Sequence, residues 1–338
     1  MPPRSDLQAR LFARLRELLP SHLSLATELA ALLEISVDSA YRRMRGETPL
    51  RLDEFGRITR KFGIGLGGLD SGGGQHIQFE RSLGRVEEEQ VHGSFAALAD
   101  ILHHLQQAGD SEIVYFSMEL PIFHVLQSGP LLAFKLYYWN WIDREYRTQP
   151  GSIKLDLPGD PIPLARIVSL YQQVPTTEII SENALSTTMM QILFFLESGS
   201  FAQASDAILL FDEIEKLVDH LRIQAEVGQK FPLGNPRPDH RSDGNFRLFF
   251  NEMIHSQDLA LVRAQGHQSV YLEHNVLGFL RTTDSTFFAQ TDAMLQRIMR
   301  KSILISQVSE RERNRFFNRL TQRVRRMRTR AERLREAD

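Results

Sequence analysis

The sequence predicts an α+β protein. An N-terminal all-α domain of helix, turn and helix precedes a mixed α/β domain with a short antiparallel meander and a long C-terminal helix. Three observations predict it. Apolar residues recur at helical spacing between capping and stop residues over Leu25–Phe62. Later helical patterns are interrupted by short runs rich in Ile, Val, Tyr and Phe. From Ser309 onward a single apolar stripe continues almost to the end.

Taken in order, Leu25–Leu33 offers Leu25, Leu29, Ala30, Leu32 and Leu33 to a core. Glu34-Ile35-Ser36 is a turn, and the Ser36 hydroxyl has the chemistry of an N-cap, accepting a bond from an N–H two or three residues on. The next helix, Val37–Arg45, stops at Gly46, the usual residue of a left-handed helix end, and Thr48-Pro49 blocks its continuation. A further helix spans Leu52–Phe62, with Asp53 and Glu54 in the first turn, where the helix dipole favours them. On Val37–Arg45, Val37, Ala40, Tyr41 and Met44 fall on one side, and Asp38, Ser39, Arg42, Arg43 and Arg45 mostly on the other. Hydroxyl and guanidinium groups of this kind reach phosphates and guanine edges. The same residues also read as the solvated face of an ordinary helical domain.

The segment TELAALLEISVDSAYRRMRGETPLRLDEFGRITRKFGIGLGGL resembles the phage-repressor-type (Cro-like, XRE) helix-turn-helix over about Leu23–Leu69. The match lies in the Glu-Leu-Ala of the first helix, the Ile-Ser turn, the Arg-Gly end and a closing helix ending in Phe-Gly-Ile. Two positions depart from the pattern. Glu34 stands where many members have glycine, and Arg43 stands where the recognition helix usually buries Ile or Leu. Met44 could assume that packing through a slight rotation of the helix. The resemblance implies a bacterial, sequence-specific DNA-binding transcriptional regulator with double-stranded DNA as partner. It implies Asp38, Ser39, Arg42 and Arg43 at base edges and Ser36 and Arg45 at the backbone. A homodimer reading two half-sites is the usual arrangement.

The domain divisions follow composition: a helix-turn-helix domain over 1–69, a Gly/Ser-rich linker over 70–75 within the glycine-dense stretch Gly67–Gly74, a mixed α/β sensor domain over 76–308, and a basic helix over 309–338. In the sensor domain the patterns predict helices at Ser94–Gln107, Leu131–Tyr146, Leu164–Gln173, Ala184–Glu197, Ser205–Val227 and Ser285–Ile303. A strand is predicted at Glu112–Met118. A meander is predicted from Phe246–Met253, Leu259–Ala264 and Ser269–Glu273, with a tight turn at Gln265-Gly266-His267. The polar, proline-containing stretch Phe231–Gly244 is a connection or a mobile flap. The aromatic residues Phe123, Tyr137, Tyr138 and Trp141, with His124, are candidates for a ligand pocket, although aromatic residues at helical spacing more often pack a core. A small-molecule or protein effector is the expected partner of this domain.

The net charge of −2 conceals an uneven distribution. Residues 1–70 hold 11 basic and 9 acidic side chains, 71–299 hold 16 and 28, and 300–338 hold 13 and 5. In the basic end, Ser309 and Glu312 have capping-box spacing. Phe317, Leu320, Val324, Met327, Ala331 and Leu334 then step as a heptad seam. Parallel self-pairing would oppose arginines, so docking on an acidic surface is expected, either the protein's own middle region or a partner subunit. Contact with DNA phosphates and a purely solvated helix are the other readings.

Exclusions complete the reading. With no cysteine there is no disulfide scaffold, thiolate metal site or cysteine nucleophile. No zincin, Walker, nucleophile-elbow or phosphodiesterase motif is found, so a non-enzyme without cofactor or metal is expected. Two alternatives remain: an interaction adaptor, or an enzyme that uses the helix-turn-helix for targeting. The enzyme's site would be the acidic helix with Asp212, Glu213, Glu215, Asp219 and His220. The N-terminus shows no signal peptide pattern and no stretch reaches membrane-spanning length, so a cytoplasmic protein with no membrane partner is expected.

Overall fold

The computed structural model describes residues 6–19, 23–62, 64, 77–82, 88–143, 152–157, 164–237, 245–252, 258–275 and 278–337. The chain divides into two compact units, Met1–Gln78 and Phe79–Asp338. The predicted linker over 70–75 lies outside the described residues.

The first unit is all helical: α1 (Asp6–Leu18), α2 (Leu25–Leu33), α3 (Val37–Met44) and α4 (Leu52–Phe62). The sequence pattern gives α2 and α4 at these bounds and α3 within one residue. It gives no α1, whose Leu11, Phe12 and Leu15 are nevertheless fully buried against Leu29, Ala40 and Ile58. Burying such side chains contributes about 1.5–3 kcal/mol each. Gln8 of α1 also fixes the far end of α3. Its amide donates to the carbonyls of Arg43 at 2.7 Å and Thr48 at 2.9 Å, and its oxygen accepts from Leu50 N–H at 2.9 Å.

Among the described residues the second unit is a mixed sheet of eight strands with helices on both faces, in the order β1-β7-β6-β5-β2-β3-β4-β8. Its elements are β1 (Glu80–Ser82), α5 (Glu88–Gln107), β2 (Glu112–Phe116), α6 (Ile122–Val125), α7 (Gly129–Asp143), α8 (Leu164–Gln173) and β3 (Thr176–Ile180). They continue with α9 (Ser186–Glu197), α10 (Ser205–Val227), β4 (Phe246–Phe250), β5 (Leu259–Ala264), β6 (His267–Asn275) and β7 (Gly278–Thr282). The chain closes with α11 (Ser285–Arg300), β8 (Ile303–Leu304) and α12 (Glu310–Ala337). The centre, β2-β3-β4, is parallel, and its crossovers carry the helices.

Side-chain alternation sorts the layers. Ile113 and Tyr115 of β2 face α5 and α8, whereas Val114 and Phe116 face α11. Phe246, Leu248 and Phe250 of β4 join the large cluster built by α7, α9, α10 and α12.

Two expectations about the sheet are corrected. β4 is not part of the meander. Its apolar run FRLFF is almost wholly buried and pairs in parallel with β3, so the meander is β5-β6-β7. The β5–β6 turn keeps its predicted place, with Gln265 and Gly266 both at positive φ, as a two-residue hairpin requires. The helix predicted to end at Ile303 stops at Arg300, and Ile303–Leu304 pairs with β4 instead.

The basic C-terminal helix is not a separate 309–338 segment but an integral layer of the second unit. The predicted seam is its buried side: Phe317, Leu320, Val324 and Ala331 are buried with α9 and α10, and Met327 and Leu334 pack against the same cluster. Acidic residues of those helices and of the loop before α9 meet its arginines: Arg328–Asp212 at 2.8 Å, Arg325–Glu215 at 2.6 Å, Arg330–Glu197 at 2.8 Å, and Arg319 with Glu182. Ser309 lies at φ 54, not in the extended conformation of a capping serine, and its carbonyl accepts from Arg313 N–H. Buried Arg313 instead secures the helix entry, donating to the carbonyls of Ile305 and Val308. Gly228 ends α10 at φ +70, and any Cβ there would lie 2.4 Å from Gln307, which leads into α12. Among the described residues no helix is long and apolar enough to cross a membrane.

Candidate functional site

The surface of α3 is set by its two ends. Glu34 adopts the left-handed conformation, φ 58, that closes α2. This is the conformation for which glycine is preferred, and a non-glycine residue holds it at a cost of about 1–2 kcal/mol. The Ser36 hydroxyl then accepts from Ser39 N–H at 3.2 Å and donates to Ser39 Oγ at 2.9 Å, so the predicted cap is formed.

Ser36, Asp38, Arg42 and Arg45 are exposed, and Ser39 is half-buried. Arg42 pairs with Asp38 at 3.0 Å and Arg45 with Glu47 at 2.6 Å, both pairs open to solvent. Arg43 departs from its expected place on the outer face. It turns inward and grips Glu54 of α4 bidentately, through Nε at 3.0 Å and Nη2 at 2.8 Å, with a third bond to the Ser39 carbonyl. Only 13% of the Arg43 side chain and 11% of the Glu54 side chain is exposed. The hydrogen bonds from Arg43 hold the Glu54 carboxyl below its ordinary value, against the opposing effect of burial. The helix therefore does not rotate to put Met44 in place of Arg43. The position that usually carries Ile or Leu is inward-facing here too, and it is filled by an ion pair. Val37 and Tyr41, expected on the packed side, are each 44% exposed, which leaves Ala40 as the buried residue of α3.

The five aromatic and histidine candidates do not converge on one pocket. Phe123 is buried and stacks on Tyr171 with centroids 3.9 Å apart. Tyr137 packs edge-on against Phe195. Trp141 lies at the surface against Phe194. His124 belongs to a buried polar cluster, where its Nε2 lies 2.9 Å from Glu178 of β3. The Tyr171 hydroxyl donates to the same carboxylate, and Lys230 donates to the Tyr171 and Val174 carbonyls and the Thr176 hydroxyl, each at 2.6 Å. Burial pushes the Lys230 amine down to about 7, opposed by Glu178. Of the five, only Tyr138 lines the large cleft described next.

That cleft, about 490 Å³, lies beside the C-terminal end of β2. Its apolar lining includes Tyr115, Leu120, Val125, Trp139 and Phe279. Its polar groups come from distant stretches: Ser117 and Glu119 after β2, Lys135 on α7, Gln191 on α9, Asp258 before β5 and Glu273 on β6. Glu119 accepts from Thr187 N–H at 2.7 Å and from the Thr188 hydroxyl at 2.8 Å. Asp258 accepts from the Ser117 hydroxyl at 3.0 Å and from Met118 N–H. Lys135 donates to Gln191 at 3.0 Å. Glu273, whose side chain is exposed at the edge of the cleft, is pushed up to about 7, by partial loss of solvation first and then by the Asp258 charge.

The acidic face of α10 is otherwise engaged. Asp212 and Glu215 pair with α12, and Glu213 accepts from Ser128 and Lys216. Asp219 is exposed, and His220 is buried with its ring bonded to the Phe231 carbonyl. Among the described residues no three or more His, Asp or Glu side chains are placed to hold a metal ion. No family model, curated protein or solved structure matches the chain.

Proposed function

We propose that the protein is a sequence-specific DNA-binding transcriptional regulator whose second unit responds to an effector. The observation that carries this reading is the α2–α3 pair. A left-handed turn, a capping serine and an inward arginine anchor hold α3 so that Asp38, Arg42 and Arg45 stay on its open side. Exposed Val37 and Tyr41 add a group for a thymine methyl and a hydroxyl for a phosphate. Fixing the helix by Arg43 rather than through the exposed arginines leaves the latter available to DNA. The first unit is only weakly basic, so two copies reading two half-sites would supply the phosphate contacts that one lacks.

Selection of genomic fragments on the full-length protein, followed by retention assays on the enriched site, tests the proposal. Arg42→Ala with Arg45→Ala is expected to lower specific retention by at least tenfold and to flatten its salt dependence, with the melting temperature unchanged. Retention that survives both changes would remove α3 as the reading helix.

A further inference from the structure

We propose that the cleft beside β2 binds a small organic cation, an amine carried on an apolar or aromatic body. This rests on reading the second unit as the effector-binding part of the protein, and it names the chemistry of the effector. Three carboxyl groups, Glu119, Asp258 and Glu273, line the cleft against one ammonium, Lys135. Their existing partners leave the imbalance in place. Glu119 and Asp258 accept from neutral hydroxyl and amide donors, and Lys135 donates to the neutral amide of Gln191. Negative charge is thus in excess where the protein walls displace water and strengthen Coulomb attraction.

The Asp258–Glu273 pair is where that excess is most concentrated. Two neighbouring carboxyl groups resist double ionisation, and a ligand ammonium placed between them supplies the positive charge that a shared proton otherwise provides. The rest of the lining suits an organic body. Tyr115, Tyr138, Trp139 and Phe279 offer aromatic surface, which both shields apolar groups and attracts cations. An anionic ligand would meet three carboxyl groups for the sake of one ammonium that is already bonded. A bare divalent ion would face a largely apolar wall, and among the described residues no metal-holding cluster exists.

The pairing predicts a pH dependence. The groups facing Glu273 are Asp258, Glu119, Lys135 and the Tyr115 phenol, with His274 also lining the cleft. Protonating Glu273 removes negative charge, so affinity for a cation falls with acid and rises through the neutral range.

Calorimetric titration of the full-length protein, without DNA, tests the proposal. The probes are butylamine, phenethylamine and tryptamine, against 2-phenylethanol, 3-phenylpropionate, Mg²⁺ and Ca²⁺. At least one amine is expected to bind, more tightly than the alcohol or the acid, and to weaken from about pH 8 to about pH 6 as Glu273 takes up its proton. Glu273→Gln is expected to weaken it about tenfold, and Lys135→Met to strengthen it. The amine, alcohol and pH comparisons need no variant, so misfolding of either variant leaves the test intact. Equal or tighter binding of 3-phenylpropionate or a divalent ion would overturn the proposal. So would the failure of every amine to bind at millimolar concentration. Loss of DNA retention would count against the regulatory reading alone, because the titration contains no DNA.

Discussion

α3 and α12 are both dense in arginine, yet they direct it in opposite ways. On α12, Arg319, Arg325, Arg328 and Arg330 fold back onto carboxylates of the same unit, while the opposite side of the helix fills its core. On α3 only Arg43 is committed to the interior, and Arg42 and Arg45 keep solvent-exposed partners. The abundance of positive charge therefore says little about nucleic acid. What distinguishes the helices is where the partners come from: Arg42 and Arg45 pair with exposed carboxylates within a few residues of them, whereas four arginines of α12 pair with carboxylates from elsewhere in their unit. The helix with the larger charge is the one tied more widely into its own fold.

The comparison can be broken first at the apolar side of α12. Phe317→Ala removes a fully buried ring from the large core cluster and is expected to cost about 3–5 kcal/mol, read as a lower urea midpoint of the second unit. A loss below about 1 kcal/mol would mean that α12 is an appendage after all.

The next largest effect belongs to the Arg43–Glu54 pair. Arg43→Leu alone leaves a largely buried carboxylate without its cation and should cost about 1–3 kcal/mol. Arg43→Leu with Glu54→Gln should recover most of that, because Gln keeps an acceptor for Arg51 N–H and carries no charge. The pair also fixes a sign. Glu54 is held below its ordinary value in the fold, so its contribution is complete above the unfolded carboxylate range near 4 and lost as acid reaches the depressed folded value. Stability of the first unit should therefore fall as acid is added below the ordinary carboxylate range near 4, and Glu54→Gln should flatten that decline.

The smallest effect sharpens the comparison. Arg325→Ala, at a largely exposed pair on α12, should change stability by less than about 1 kcal/mol and by less again at high salt. The arginines of α12 thus set how the helix lies, and its apolar side supplies the energy.

Much of this arrangement is legible in the sequence where a local pattern decides it. Ser36 and Gly46 bound α3 because capping and left-handed stops are chosen within a few residues, and α2, α4, α8 and α10 have the bounds that their apolar spacing predicts. The Arg43–Glu54 pair is not legible, since it joins two helices across a turn and an arginine alone does not say which way it points. β3 escapes for a related reason. Its centre is Glu178, a charge that reads as surface and is buried only because His124, Tyr171 and Lys230 arrive from three other places. Among the cleft residues Tyr138 and Trp139 stand out in the sequence, because aromatic density marks α7. Glu119, Asp258 and Glu273 are ordinary acidic residues until the sheet assembles them.

The place of α12 in the chain order has a consequence for synthesis. Every other contributor to the large core cluster precedes it, so a ribosome exposes the apolar groove of α9 and α10 before the helix that fills it exists. At about 5–20 residues per second, making a helix of 28 residues takes roughly 1.5–6 s. During that interval the carboxylates destined for arginine are unpaired as well. A nascent chain of this protein is both greasy and acidic on one side until α12 emerges, and docking of that helix is what makes it safe from its neighbours.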